Sequence, residues 1–142
     1  MQAEMFLDTA YAIALSSPND LFHSTAVRLA DELDTAGTRL ITTRAVQLEI
    51  GNALSKQRHR GAAIRLLDAL EADPSIEIIP LSESLYARAL QLYRERPDKE
   101  WGLTDCVSFV VMQDRGLAEA LTTDEHFQQA GFRALMREES PS

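Results

Sequence analysis

Asp8, Glu49, Asp105 and Asp124 each stand in apolar surroundings, in the segments MFLD, AVQLEIGNAL, LTDCVSFVVM and ALTTD. A carboxylate in such a place is costly to keep ionised. Brought together by folding, four of them would repel one another unless a cation held them. The chemistry they suggest is therefore divalent-metal binding at one shared site. Carboxylate oxygens with no histidine or thiolate cluster beside them select hard ions, Mg2+ or Mn2+. Such ions bind substrate phosphates and acidify water, which leads to phosphodiester hydrolysis.

Each acid also has a local structural reading. Asp8 can close an Asx-turn after a strand, Asp105 can complement a helix dipole, and Asp124 can cap a helix. Glu49 has no such role, because it shares a helix face with Val46, Ile50 and Ala53. The local readings require four separate accidents, and the metal reading requires one site. Thr9, Thr104 and Thr123 adjoin the acids, where hydroxyls can bond the carboxylates or a bound water. Capping and turn formation account equally for Thr104 and Thr123.

His23, His59 and His126 lack ligand-like spacing, and His126 reads as a surface residue on a short helix. Cys106 reads as core-facing, so neither a zinc site nor a Cys/His nucleophile is indicated. No glycine-rich phosphate loop or dinucleotide fingerprint is present.

The elements that must position these groups fit one domain. The chain has 142 residues, 45% of them hydrophobic, enough for a proper core. A single cysteine fits a reducing compartment, so the expected location is the cytoplasm. No apolar run reaches the length of a membrane span, so no membrane role is expected. The N-terminal stretch carries Glu4 and Asp8 without a basic start, and reads as strand and helix rather than a secretion signal.

The apolar patterning predicts strands at 5–7, 39–42, 76–80, 120–122 and 132–136. Helices are predicted at 11–15, at 20–36 with Gly37 as the stop, from the Thr43 cap to Ser55, and over 61–70. Further helices follow from the Ser82 cap to before Pro97, from the Thr104 cap to Gly116, and from Asp124 to Ala130. Short apolar strands alternating with helices predict an α/β fold: a three-layer α/β/α sandwich around a central parallel sheet of four to five strands. Ligands in such sheets bind beyond the carboxyl ends of the strands, where Asp8 and Asp124 fall. The domain is expected to span 1–136, with 137–142 as a frayed tail.

Net charge -8 argues against nonspecific wrapping of nucleic acid. Residues 39–65, however, hold six basic residues against one acid. This band reads either as a solvated helix face with its loop or as a phosphate guide. In the second reading Arg44, Lys56, Arg58 and Arg60, with Lys99 further along, steer the substrate. Trp101 reads as a plug holding its loop against the sheet, in preference to a base-stacking platform.

The segments FLDTAYAIAL, LEIGNAL, WGLTDCVSFVVM and ALTTDEHFQQAGF together resemble the PIN domain, in the bacterial and archaeal branch that includes VapC-type toxins. The likeness spans about 5 to 135. It implies a parallel sheet between helices and an acidic quartet that binds Mg2+ or Mn2+ and cleaves RNA. Carried across, Asp8 matches the first aspartate, Glu49 the helical glutamate, Asp105 the aspartate opening the late helix, and Asp124 the acid after the next strand. Thr9 and Thr123 match positions where small hydroxyl residues are common. Some relatives carry one more acid a turn into the late helix, where this chain has Ser108. The resemblance further implies a homodimer and a small cognate antitoxin that holds the toxin inactive.

The expected function is thus a metal-dependent endoribonuclease, the toxin of a toxin–antitoxin pair. A non-catalytic RNA-binding or scaffold protein on the same fold is the rival reading. A phosphoacceptor domain is disfavoured, because Asp8 has no paired acid and the last lysine is Lys99.

Overall fold

The computed structural model describes residues 3–138. The strands are β1 (Glu4–Leu7), β2 (Arg39–Thr43), β3 (Ile76–Ile79), β4 (Glu119–Leu121) and β5 (Arg133–Ala134). They form one sheet in the order β3-β2-β1-β4-β5. Every pairing is parallel, with Phe6 opposite Ile41 on one side and Ala120 on the other. The helices are α1 (Thr9–Ser16), α2 (His23–Ala36), α3 (Arg44–Ala53), α4 (Gln57–Ala72), α5 (Glu83–Glu95), α6 (Leu103–Arg115) and α7 (Glu125–Gln129).

α1 packs on α2, α3 and α4, and α5 packs on α6, the grouping on two faces that right-handed crossovers from β1 to β2 to β3 and a return to β4 require. This is the three-layer sandwich that the alternating pattern predicts. The winding reverses between β1 and β4, so the crevice for a ligand lies there, beyond their carboxyl ends.

Local chemistry explains most boundaries. The Thr43 hydroxyl accepts from the Val46 N–H and the Ser82 hydroxyl from the Leu85 N–H, so both cap the helices expected of them. Gly37 stops α2 in the left-handed region, at φ 68.

Several boundaries shift from the sequence reading, among them the start of α2, at His23 rather than residue 20, and the end of α3, at Ala53 rather than Ser55; three further shifts have a clear local cause. α4 begins at Gln57 rather than Gly61, because a glycine on an exposed helical surface costs too little to end the helix. The N-cap of α6 is Gly102, not Thr104, which lies within the first turn. β5 is limited to Arg133–Ala134, since its only neighbour, β4, offers three residues to pair with. Of the expected tail, the Arg137 N–H bonds the Ala134 carbonyl, and Glu138 pairs with Arg133. Residues 139–142 lie outside the described residues.

The core beneath the crevice is aromatic. Phe109 meets Phe127 and Trp101 edge-on, each with ring centroids 5.0 Å apart, and Phe127 lies 6.2 Å from Phe6. The Trp101 indole N–H donates to Gln129 Oε1 at 3.0 Å, and the Arg96 guanidinium lies over the ring. Trp101 is thus the buried plug that its loop position suggested. This stack locks the start of α6 to α7, and these are the two elements that carry Asp105 and Asp124.

Candidate active site

β1 delivers Asp8 at the centre of the sheet, as the N-cap residue of α1. Its carboxylate is buried and accepts a 2.7 Å bond from the Thr122 hydroxyl. The same hydroxyl accepts from the Asp124 N–H at 3.1 Å. Thr122 follows β4, so one buried threonine ties the ends of β1 and β4 together across the reversal point. The Asp8 N–H bonds the Leu121 carbonyl at 3.3 Å and closes the same seam.

Burial pushes the Asp8 carboxyl up to about 7 from 3.8. The Thr122 hydroxyl and the Thr9 N–H oppose this rise, while the charges of Glu49 and Asp105 add to it. Glu49 on α3 and Asp105 on α6 therefore both act on the carboxylate that ends β1. Asp105 is also raised, mainly by burial, with the Gly102 N–H and His126 opposing and the charge of Asp124 adding. Asp105, Asp124 and His126 form the group within ligand reach, whereas Asp8 and Glu49 fall outside it, and Asp8 is tied to Asp124 through Thr122.

Asp105 Oδ2 accepts from the Gly102 N–H at 3.0 Å, which satisfies a donor at the start of α6 and aims the carboxylate. Asp124 caps α7 by accepting from the His126 N–H at 2.9 Å. Glu49 and Thr104 face a cleft between α3, α5 and α6, bordered by Leu48, Leu81 and Tyr86.

Two residues at the site escaped the sequence reading. The His126 ring is no surface group: its Nδ1 lies 3.1 Å from Asp105 Oδ2 and 3.4 Å from Asp124 Oδ1. The signal was its place two residues after a capping aspartate, where the cap bond to its own N–H brings the ring back over the carboxylate. The sequence pattern places Thr122 in a strand and makes Thr123, beside Asp124, the supporting hydroxyl. Thr123 offers its carbonyl to Arg137 instead. Thr122, one residue past β4, turns its hydroxyl to Asp8, and strand alternation continued beyond Leu121 was the available clue. Thr9 is buried, and its hydroxyl has no hydrogen-bond partner among the described residues.

The basic residues are placed less uniformly. Arg44 pairs with Glu71 on α4 and donates to Gln47. Arg60 donates to the Ser55 carbonyl, and Arg58 to the His59 ring. Lys56 is the exposed N-cap residue of α4, and Lys99 lies 3.9 Å from Asp98.

Whether a divalent cation suits this place is decided by the donors. Asp105, Asp124 and His126 each offer an atom within 4.8 Å of the others. Two carboxyls are held above their ordinary range, a penalty that a bound cation would remove. The donor set fits such an ion.

A parallel sheet wound in two directions, with Asp8 and Asp124 tied together at its reversal point, defines a doubly wound α/β domain with an acidic crevice. The chain belongs to the PIN domain family, whose profile matches residues 5–133. It is 26% identical over 128 residues to the 23S rRNA-specific endonuclease VapC20 of Mycobacterium tuberculosis, covering 90% of this chain and 95% of that protein. The crystal structure of that protein, described as a sarcin-ricin loop cleaving toxin, superimposes with a TM-score of 0.79 at 25% identity over 90% of this chain and 95% of that one. VapBC2 from Rickettsia felis, solved bound to a DNA fragment from its promoter, shares the fold. It has a TM-score of 0.69 at 14% identity, with 98% of this chain and 99% of that chain covered.

Proposed function

We propose that this protein is a metal-dependent endoribonuclease that hydrolyses RNA phosphodiester bonds, acting as the toxin of a toxin–antitoxin pair. The observation that supports the reading is the Thr122 seam that ties Asp8 to Asp124 at the reversal point of a PIN sheet, with Asp105 and His126 within ligand reach of Asp124. The likeness to an rRNA endonuclease supports RNA as the substrate class.

Asp8, Asp105 and Asp124 would hold a Mg2+ or Mn2+ ion, with Glu49 as a direct or water-bridged ligand. The chemistry such an ion would supply is polarisation of the scissile phosphate and acidification of the attacking water. The chain itself does the positioning. Thr122 fixes the rotamer of Asp8, and the Gly102 N–H fixes that of Asp105. Glu49, on the open side of the cleft, orients the nucleophile. Lys56, Arg58 and Lys99 offset the repulsion between the acids and an incoming phosphate backbone, with Arg44 and Arg60 joining once their internal bonds yield.

A small cognate antitoxin, a homodimeric state and a cytoplasmic location belong to the same proposal. The toxin description of VapC20 supports the antitoxin. No described helix is long and apolar enough to cross a membrane.

The test is cleavage of total RNA by purified protein stripped with a chelator, before and after Mg2+ or Mn2+ is restored. The proposal predicts no cutting when stripped and cutting when restored, with Asp8→Asn inactive throughout. Full-rate cutting by the stripped protein would sink it.

A further inference from the structure

The acids gathered at the sheet's reversal point are joined by one group that is not an oxygen donor. The His126 Nδ1 is in hydrogen-bond contact with Asp105 Oδ2 at 3.1 Å and lies 3.4 Å from Asp124 Oδ1, so a cation held by all three would take the place of the proton between ring and carboxylate. Both separations fit ligands of one cation. With bonds of about 2.1–2.2 Å, neighbouring ligand atoms stand about 3.0 Å apart in an octahedral shell and about 3.5 Å apart in a tetrahedral one.

The ring is held there by two independent devices. The His126 N–H is bound to Asp124 Oδ1, which fixes the residue in the first turn of α7. The adjacent Phe127 is wholly buried against Phe109 and Phe6, which fixes α7 itself. The imidazole is three-quarters buried, so it does not swing freely into solvent. The other histidines are occupied elsewhere: the His23 ring meets the Ala14 carbonyl, and the His59 ring accepts from Arg58.

We propose that His126 is a nitrogen ligand of the divalent ion at this site and makes it select Mn2+ over Mg2+. The inference rests on the metal-dependent reading above and specifies which ion that site takes. Mg2+ demands oxygen donors and near-ideal octahedral geometry, whereas imidazole suits first-row transition ions. A site of carboxylates alone would discriminate weakly between the two. Replacing one oxygen donor by a fixed imidazole favours the softer ion and disfavours Mg2+.

The experiment is pulsed electron paramagnetic resonance on Mn2+ bound to the full chain, with natural-abundance and 15N-histidine-labelled protein. Directly coordinated histidine nitrogen is expected in the wild-type spectrum and lost in His126→Ala and His126→Asn. Direct titration is expected to show Mn2+ affinity falling by about 10- to 100-fold in the variants. Mg2+ affinity is expected to change much less. Mn2+ bound to wild-type protein without a histidine nitrogen coupling overturns the inference and leaves the metal-dependent reading standing. No Mn2+ or Mg2+ binding by wild-type protein overturns both. The wild-type spectrum decides the matter even if a variant fails to fold.

Discussion

Asp8 is the residue where fold and function pull in opposite directions. Buried at the end of the central strand, it carries its proton up to about 7 in the native state, against 3.8 for the unfolded chain. Between those values the native state holds a proton that the unfolded chain has released. The stabilising contribution is therefore complete below 3.8 and lost as pH rises through 7. Without metal, Asp8→Asn should be more stable than wild type at pH 8.5, by at most on the order of 4 kcal/mol. The advantage should vanish at pH 3.5. Urea unfolding at the two pH values checks this, and a variant less stable at pH 8.5 would contradict it.

Thr122 acts on the same carboxyl, since its hydroxyl favours the charged form. Thr122→Val keeps the shape and removes the bond. It should lower RNA cleavage by about 10- to 100-fold and move the acid limb of the pH–rate profile to higher pH. An unchanged profile would remove Thr122 from the machinery. At this scale the sequence revealed the odd carboxylates, because an acid in an apolar run is conspicuous. It hid Thr122 and His126, because a threonine in a strand and a histidine on a short helix are ordinary until the fold shows what they face.

At the scale of elements, the site depends on the alignment of α6 with α7. That alignment rests on Trp101, which packs edge-on against Phe109 and bonds Gln129. Trp101→Ala should cost on the order of 3–5 kcal/mol, whereas Gln129→Ala should cost about 1 kcal/mol. Denaturant midpoints measure both, and equal small losses would show that the ring does not brace the site. Most elements were legible from periodicity and from caps such as Thr43 and Ser82, whose hydroxyls bond where expected. The start of α6 was not, because Gly102 caps through its backbone while the Asp105 side chain supplies the bond. A side-chain rule therefore points to the wrong residue. The start of α4 was hidden for a related reason: Lys56 makes no side-chain cap bond, so nothing in its type announces a helix.

The whole molecule separates stability from chemistry along the strand axis. The acids collect at the carboxyl ends of β1 and β4. At the opposite end Arg115 closes α6 by pairing with Glu77 on β3 and Glu4 on β1. These groups are each about a third or more exposed, so solvent screens them. Arg115→Ala should therefore cost under about 1 kcal/mol and leave RNA cleavage unchanged. A large loss of activity would mean that the two ends are coupled. The alternation of strands and helices made this architecture readable. The strand order was not readable from periodicity, because pairing is decided by how the crossovers pack, and it is the order that brings Asp8 beside Thr122.

Anomalous diffraction from crystals soaked in Mn2+ tests the convergence of the acids most directly. The account predicts one strong peak bounded by the carboxylates of Asp8, Asp105 and Asp124, absent from Asp8→Asn crystals. Peaks confined to surface carboxylates elsewhere, with that crevice bare at saturating Mn2+, would contradict it.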